Sequence, residues 1–406
     1  MRRLICTVAS SMFLSAMFAV SDYAEAFQQD DEPWIAIDFN KEIDQVAEAG
    51  TFAEQRLLNV VNASGELLLS KTVYSSRKVD DRLLVVSQEG VWIWSPARKD
   101  VITDWDLLER FLKSNDIDSP AFYLFGETLL FTQADNDEPK WGSFHSDRGF
   151  QMHEDLVFNF GYFHEINRDT RLLPALSRSE NRWGFVNKKL DWVLGPKYRN
   201  VYAFTESRAL VETAEDSFCY IDEDGNVQSS IEFTPVMVGS SRHYIHSYYK
   251  NGYALVAIDE NLKYLDLNGR IAFQDSLLYE QFAGFSAFSE GMAAAVTADR
   301  KIGFIDSNGR IKISPKWDKI DAGFFGGMAI VGLDGQRQVI DKSSRVLEGT
   351  LESFNPNLEK FLGDGLSVHR QPSEGVIVAR FGKKLFELNA KDAWARERDR
   401  QKRNDK

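Results

Sequence analysis

The chain has 406 residues, 43% of them hydrophobic and 13% aromatic, with a formal net charge of -13. That length and apolar content exclude a disordered chain. The acidic balance repels polyphosphate, so nucleic acid is excluded as a partner.

The first stretch, "MRRLICTVASSMFLSAMFAVSDYAEAF", joins two arginines, an apolar run from Leu4 to Val20 and a small-x-small site at Ala24-Glu25-Ala26. This is the layout of a secretory signal peptide over residues 1–26, and it predicts an exported protein, periplasmic or extracellular. Cleavage there also removes Cys6 and leaves Cys219 as the only cysteine, so packing rather than a disulfide must hold the mature chain. No later stretch is apolar enough to span a bilayer. Residues 27–57 read as a lead-in segment containing a short helix. Residues 104–118, "DWDLLERFLKSNDID", have helical apolar spacing and interrupt what is otherwise a strand-and-turn pattern.

From residue 180 onward one phrase returns: an aromatic or aliphatic residue, a β-branched or leucine residue, then Asp or Asn. It stands at Phe185-Val186-Asn187, Tyr220-Ile221-Asp222, Tyr264-Leu265-Asp266, Phe304-Ile305-Asp306 and Val339-Ile340-Asp341, at intervals of 35, 44, 40 and 35 residues. A period near 40 marks a repeat array. Pro196-Lys197-Tyr198 follows Phe185 by the same 11 residues that separate Pro315-Lys316-Trp317 from Phe304. Phe204, Tyr249, Phe288 and Phe324 each precede an alanine by five residues.

Each unit therefore reads as short antiparallel strands joined by Asx- and Gly-containing turns. One such unit leaves an apolar face for a neighbour to cover. Fainter echoes lie at Val60–Gly65, Val91–Trp94, Lys140–Phe144 and Leu362–Ser367, giving about seven or eight units. The expected fold is all-β, an array closed as a β-propeller, with an open elongated array as the alternative. Residues 58–388 form it, and a charged tail occupies 389–406.

Trp183-Gly184-Phe185-Val186-Asn187, with Pro196-Lys197-Tyr198 and Phe204-x-Glu206, resembles the WG-containing repeat family, most clearly over residues 180–350. Leu262-Lys263, Ile302-Gly303 and Phe218-Cys219 stand where other units should carry the Trp-Gly pair. The resemblance implies an interaction module with no shared catalytic residues. The structural repeat residues are then Trp183, Gly184, Phe185, Pro196, Tyr198, Phe204, Phe304, Pro315 and Trp317.

Catalytic and metal motifs fail on spacing. No H-E-x-x-H is present, and a spacing of three positions puts His243 and His246 on opposite faces of a strand. The run from Asp222 lacks the Gly and the Glu of a calcium loop. Ser75-Ser-Arg-Lys78 fits S-x-x-K without its partner motifs. Cys219 occupies the slot of Gly184 and Gly303, as a small packed residue. Neither metal nor cofactor is expected. The unit with the longest interval carries "SSRHYIHSYY", whose His243, Tyr244, His246, Tyr248 and Tyr249 form a candidate binding lip. The reading is an exported non-enzymatic scaffold that binds a protein or another ligand. The alternative is a propeller-type hydrolase acting on cell-wall or surface glycan.

Overall fold

Apolar runs of four to seven residues, separated by turns rich in Asp, Asn and Gly, leave the backbone one economical way to pair: with the neighbouring run, antiparallel. The structure, a computed structural model, describes residues 34–40, 56–62, 64–79, 82–118, 120–133, 139–159, 170–236, 247–274, 276–347, 359–363, 366–370, 375–380, 383–389, 392–393 and 395–396. Among these residues nine antiparallel sheets of three or four strands follow one another, each with sequence neighbours paired.

Sheet 1 holds β1 (Trp34–Asn40), β2 (Arg56–Asn62) and β3 (Leu67–Val73), and sheet 2 holds β4 (Ser75–Val79), β5 (Arg82–Ser87), β6 (Gly90–Ser95) and β7 (Arg98–Thr103). Helix α1 (Trp105–Ser114) precedes sheet 3, made of β8 (Pro120–Phe125), β9 (Thr128–Gln133), β10 (Trp141–His145) and β11 (Gly149–His153). Sheet 4 comprises β12 (Leu156–Val157), β13 (Leu173–Ser177), β14 (Arg182–Val186) and β15 (Trp192–Tyr198). Sheet 5 has β16 (Asn200–Val201), β17 (Ala209–Glu212) and β18 (Phe218–Ile221), and sheet 6 has β19 (Thr234–Pro235), β20 (Tyr253–Ile258) and β21 (Asn261–Asp266). After the one-turn α2 (Leu278–Gln281), sheet 7 is β22 (Gly284–Phe285), β23 (Met292–Val296), β24 (Ile302–Asp306) and β25 (Ile311–Trp317). Sheet 8 is β26 (Lys319–Phe325), β27 (Met328–Leu333) and β28 (Gln336–Asp341); sheet 9 is β29 (Glu359–Gly363), β30 (Leu366–Arg370), β31 (Gly375–Arg380) and β32 (Lys383–Asn389).

The all-β expectation holds, and so does the helix within 104–118. The described residues hold nine sheets beside the expected seven or eight units, and the fainter echoes at Val91–Trp94, Lys140–Phe144 and Leu362–Ser367 fall in sheets 2, 3 and 9. The lead-in segment supplies a strand, since β1 pairs with β2 in unbroken register from Trp34↔Asn62 to Asn40↔Arg56. Ser75 and Lys78 lie on strand β4, whereas the S-x-x-K nucleophile needs a helix. Of the tail, residue 389, which ends β32, and residues 392–393 and 395–396 fall within the described residues. No helix among the described residues is long and apolar enough to cross a membrane.

Two compact units divide the chain, one built chiefly on residues 27–196 and the other on 197–369. Their cores obey the period of two along a strand. In the first unit, Phe122, Leu124, Leu129 and Phe131 of sheet 3 pack with Leu84, Val86 and Ile93 of sheet 2 and with Trp105, Leu108 and Leu112 of α1. The alternate residues Tyr123, Phe125 and Leu130 pack instead with Leu173, Ala175 and Val186 of sheet 4. Sheet 3 is thus buried on both faces, which is why its strands read as nearly continuous apolar runs.

The second unit repeats the device. Met292, Ala294, Ile302 and Phe304 of sheet 7 meet Ile320, Phe324, Ala329 and Val331 of sheet 8. Their neighbours Ala293, Ala295 and Ile305 face Leu255 and Tyr264 of sheet 6. Small alanines on β23 let these layers approach while Phe288, Phe304 and Trp317 fill the space between them.

Candidate functional site

The recurring Asp or Asn makes one turn six times. In each, Oδ1 accepts the backbone N–H groups of the residues two and four ahead: Asn62 from Ser64 and Glu66, Asn187 from Lys189 and Asp191, Asp222 from Asp224 and Asn226. Asp266, Asp306 and Asp341 do the same at 2.9–3.0 Å. These Asx turns occupy the carboxylates with local hydrogen bonds. The turn residue three ahead has positive φ, at Gly65, Gly225, Gly269 and Gly309 but also at Leu190 and Ser344. Asp222 is therefore a turn former, and among the described residues no three His, Cys, Asp or Glu side chains gather as metal ligands.

The aromatic-to-alanine segments are two-residue turns with positive φ at both central residues: Glu206-Ser207, Asn251-Gly252, Glu290-Gly291 and Gly326-Gly327. They are clasped to one another. Glu206 Oε2 accepts the Gly252 N–H at 2.8 Å, and Asn251 Oδ1 accepts the Gly291 N–H at 3.0 Å. Glu290 then accepts from both Gly326 and Gly327, at 2.5 and 2.9 Å. Each turn's side chain thus satisfies the backbone of the next turn along. Phenols add a parallel series, with Tyr220 donating to the Ser247 carbonyl and Tyr264 to that of Ser286.

The glycine of the Trp-Gly pair answers to the Pro-Lys-aromatic step. Around Gly303 the ladder shifts, so that the step from Ile302 to Phe304 on β24 faces the longer step from Trp317 back to Ile313 on β25. This bulge lays backbone directly over Gly303: a Cβ there would stand 2.5 Å from the Ile313 carbonyl oxygen and 2.8 Å from the Pro315 nitrogen. At Gly184 it would stand 2.4 Å from the Leu194 oxygen. Sheets 5, 6 and 8 have only three strands, and there the slot carries Cys219, Lys263 and Gln338. Sheet 1, whose register runs unbroken past this point, carries Asn59.

The structural repeat residues fall largely in the core. Phe185, Tyr198, Phe204, Phe304 and Trp317 are buried, and Pro196 and Pro315 are half-buried in their bulged strands. Trp183 is half-buried, two residues from the exposed turn 178–181. Of the lip, His243, Tyr244 and His246 lie outside the described residues. Tyr248 is half-buried against Tyr202, ring centroids 6.4 Å apart. Tyr249 is 1% exposed, stacks edge-on against Tyr220 and donates to the Asp266 carbonyl at 2.8 Å. Burial holds its phenol far above the ordinary value, and it is a core residue rather than a lip residue.

One pair has the form of a nucleophile and base. Ser143 Oγ lies 2.8 Å from His153 Nε2, and burial, then the charge of Arg148, push the imidazole below its usual pKa. Ser143 is 3% exposed, so the neutral imidazole serves as a hydrogen-bond partner across strands, shut from substrate. Cys219 is half-buried, with its thiol pushed up by burial, the opposite of an activated nucleophile.

What the repeats do share is a recurring apolar position at their outer edge, a feature missed at the level of single motifs. Five residues beyond the Asx residue stand Leu67, Trp192, Val227, Ile271, Ile311 and Val346. Leu67, Val227, Ile311 and Val346 are 45–61% exposed, and the other two are half-buried. The register confirms their equivalence: Val61↔Leu67, Ile221↔Val227, Leu265↔Ile271, Ile305↔Ile311 and Ile340↔Val346 are the same cross-strand pair. Each inner partner is buried, so every outer one is the fringe of an inter-sheet layer. Single exposed aliphatics are ordinary, but in the second unit Val227, Ile311 and Val346 recur at the same place in their repeats, with the half-buried Ile271 between them in sequence. Counting five forward from each Asp or Asn would have found it.

Among solved structures, a eukaryotic initiation factor is 11% identical, covering 82% of this chain and 92% of its own, with a TM-score of 0.44. BamB from Moraxella catarrhalis is 9% identical over 66% of this chain and 87% of its own, TM-score 0.31. The computationally designed protein Ika8 is 12% identical over 72% and 94%, TM-score 0.30. No curated protein matches the chain. The WG containing repeat family matches two segments, residues 183–214 and 302–336, each of which carries the slot glycine and the Pro-Lys-aromatic step.

Proposed function

We propose that the chain is an exported, non-catalytic binding protein that presents the rim of its β-repeat array to a protein or other ligand. One observation carries this reading: in repeat after repeat the carboxylates and phenols are engaged in turns and clasps, while the same outer position is given to an exposed aliphatic. A surface repeated in this way favours extended, multivalent contact over a single reacting centre. Export rests on the N-terminal sequence, with cleavage after Ala26. The array, in this proposal, closes as a β-propeller, which would leave no exposed terminal sheet. The test is to isolate the protein from the exported fraction of its own cells, read its N-terminus, and map its cross-links by mass spectrometry. A chain beginning at Phe27 with cross-links on the array supports the proposal. An unprocessed intracellular chain, or turnover of a glycan by the purified protein, overturns it.

A further inference from the structure

Three successive repeats of the second unit place the same two residues at the rim. Arg270-Ile271, Arg310-Ile311 and Arg345-Val346 each stand four and five positions beyond an Asx residue, and all three arginines are exposed. Their backbone N–H groups close the turns, at 2.9–3.0 Å from Asp266, Asp306 and Asp341. The guanidinium groups are left for other use. Those of Arg270 and Arg310 form no ion pair or side-chain hydrogen bond among the described residues, and Arg345 is held only by its own Asp341. Lys312, next to Ile311, is likewise exposed and unpaired. The carboxylates of these three turns are engaged by their own backbone N–H groups, so the cations of Arg270, Arg310 and Lys312 are the charges this edge has left to offer a partner.

Sheets 6, 7 and 8 pack face on face, so these pairs follow one another along one edge at roughly the 10 Å spacing of stacked sheets. Strand β25 ends the hydrogen-bonded order of its sheet. Lysine on a terminal strand is an ordinary guard against edge pairing, but a half-exposed isoleucine beside it is not. At these repeats Tyr264, Phe304 and Trp317 are each at most 1% exposed, and the half-buried Phe273 packs against the rings of Tyr253, Tyr264 and Phe288.

We infer that the edge formed by Arg270-Ile271, Arg310-Ile311-Lys312 and Arg345-Val346 is the docking surface for an acidic polypeptide whose carboxylates alternate with aliphatic side chains. The inference rests on the binding reading above and names the partner chemistry of that rim. Carboxylates meet the arginines in bidentate fashion, and the partner's aliphatic groups cover the Ile and Val fringe. Repetition over three sheets adds weak contacts into one usable affinity.

The test is fluorescence anisotropy of the full mature chain with a labelled dodecapeptide of alternating Glu and Val, compared with a Lys/Val peptide and with a polyuronate oligomer. The expected result is binding of the Glu/Val peptide that weakens as salt rises. The double variant Arg310→Glu/Lys312→Glu and the single variant Ile311→Ser should each weaken it about tenfold. Lys250→Glu, in the Asn251 turn, should change nothing, and melting curves confirm that all three variants fold. No binding by the wild type, or an Ile311→Ser variant that binds undiminished, overturns the inference. So does a polyuronate that binds as tightly with the same variant dependence, since a charged glycan would then be the partner. In the exported fraction, cross-links that map away from residues 270–346 sink this surface while leaving the binding reading standing; glycan turnover sinks the binding reading itself.

Discussion

Gly303→Ala adds a single methyl group to a strand whose backbone is extended, so no relief of an unusual φ enters the comparison. The new Cβ would stand 2.5 Å from the Ile313 carbonyl oxygen, 2.8 Å from the Pro315 nitrogen and 3.0 Å from its Cδ. Two of these are main-chain atoms of β25, so the clash cannot be cleared by a rotamer change; the bulged strand itself must move. Overpacking of this kind costs about 1–3 kcal/mol, and detaching β25 adds the exposure of Ile313 and Trp317, both at most 3% exposed. A destabilisation of about 3 kcal/mol is therefore expected, read as a lowered urea midpoint and as faster hydrogen exchange across β24 and β25. Gly195→Ala, where a Cβ meets nothing within 4 Å, is the control and should be neutral or slightly stabilising. Cys219→Gly, at the matching slot of a three-stranded sheet, should destabilise by about 1 kcal/mol through lost packing and backbone freedom. If Gly303→Ala melts like the wild type and β25 exchanges no faster, the coupling between motif glycine and bulge is refuted.

Glu290→Ala removes two charge-assisted acceptors from the Gly326-Gly327 turn and should cost about 2 kcal/mol, with Glu290→Gln intermediate; equal stability of all three forms would show that the clasp contributes nothing. Ser344→Gly relieves a non-glycine residue at φ 67° whose buried hydroxyl has no hydrogen-bond partner among the described residues, and should stabilise by about 1 kcal/mol; an unchanged or lower melting temperature contradicts this. Asp222, held low first by the Asn226 backbone N–H, Asp191 by Arg148 and Asp318 by Lys301 have folded pKa values below the ordinary 3.8. Their contribution is present above that value and is lost as pH falls through the folded values, so the urea midpoint should drop as pH falls below 3.8. At the alkaline end burial raises Tyr220 and Tyr264, and Tyr279 to about 12, so stability is full below the ordinary phenol value of 10.0 and declines above it; a flat profile at either end counts against the burial and hydrogen bonding described. A closed array of the mature length should scatter with a radius of gyration of about 21 Å, and a markedly larger value would favour the open array.

Much of the architecture was legible because it depends on local pattern. The Asp-Ser-Asn-Gly run at 306–309 states its own turn, and Val60–Gly65 was recognisable as the same turn despite lying 120 residues before the Trp-Gly pair. The helix at 105–114 follows from apolar residues spaced for one face. What failed depends on partners distant in sequence. No local signal says whether a fourth strand will cover the glycine slot, yet that alone separates Gly303 from Cys219. The sheets over residues 75–103 and 120–153 lack the Asp/Asn phrase and left only the fainter echoes at Val91–Trp94 and Lys140–Phe144. Tyr249 belonged both to the lip and to the aromatic-to-alanine series; the series was the stronger signal, and the residue is core. The clasps of Glu206 and Glu290 and the rim at Leu67, Val227, Ile311 and Val346 become visible only when equivalent positions are superimposed.

The central claim is that the repeats hold each other in place while their outer edge binds. Site-specific photo-crosslinking from position 311, carried out on the exported protein in its own cells with position 250 as reference, tests this most directly. A discrete polypeptide adduct of acidic sequence from position 311 and none from position 250 is the predicted result. Adducts of equal yield from both positions, or none from either while the protein remains folded, would contradict it.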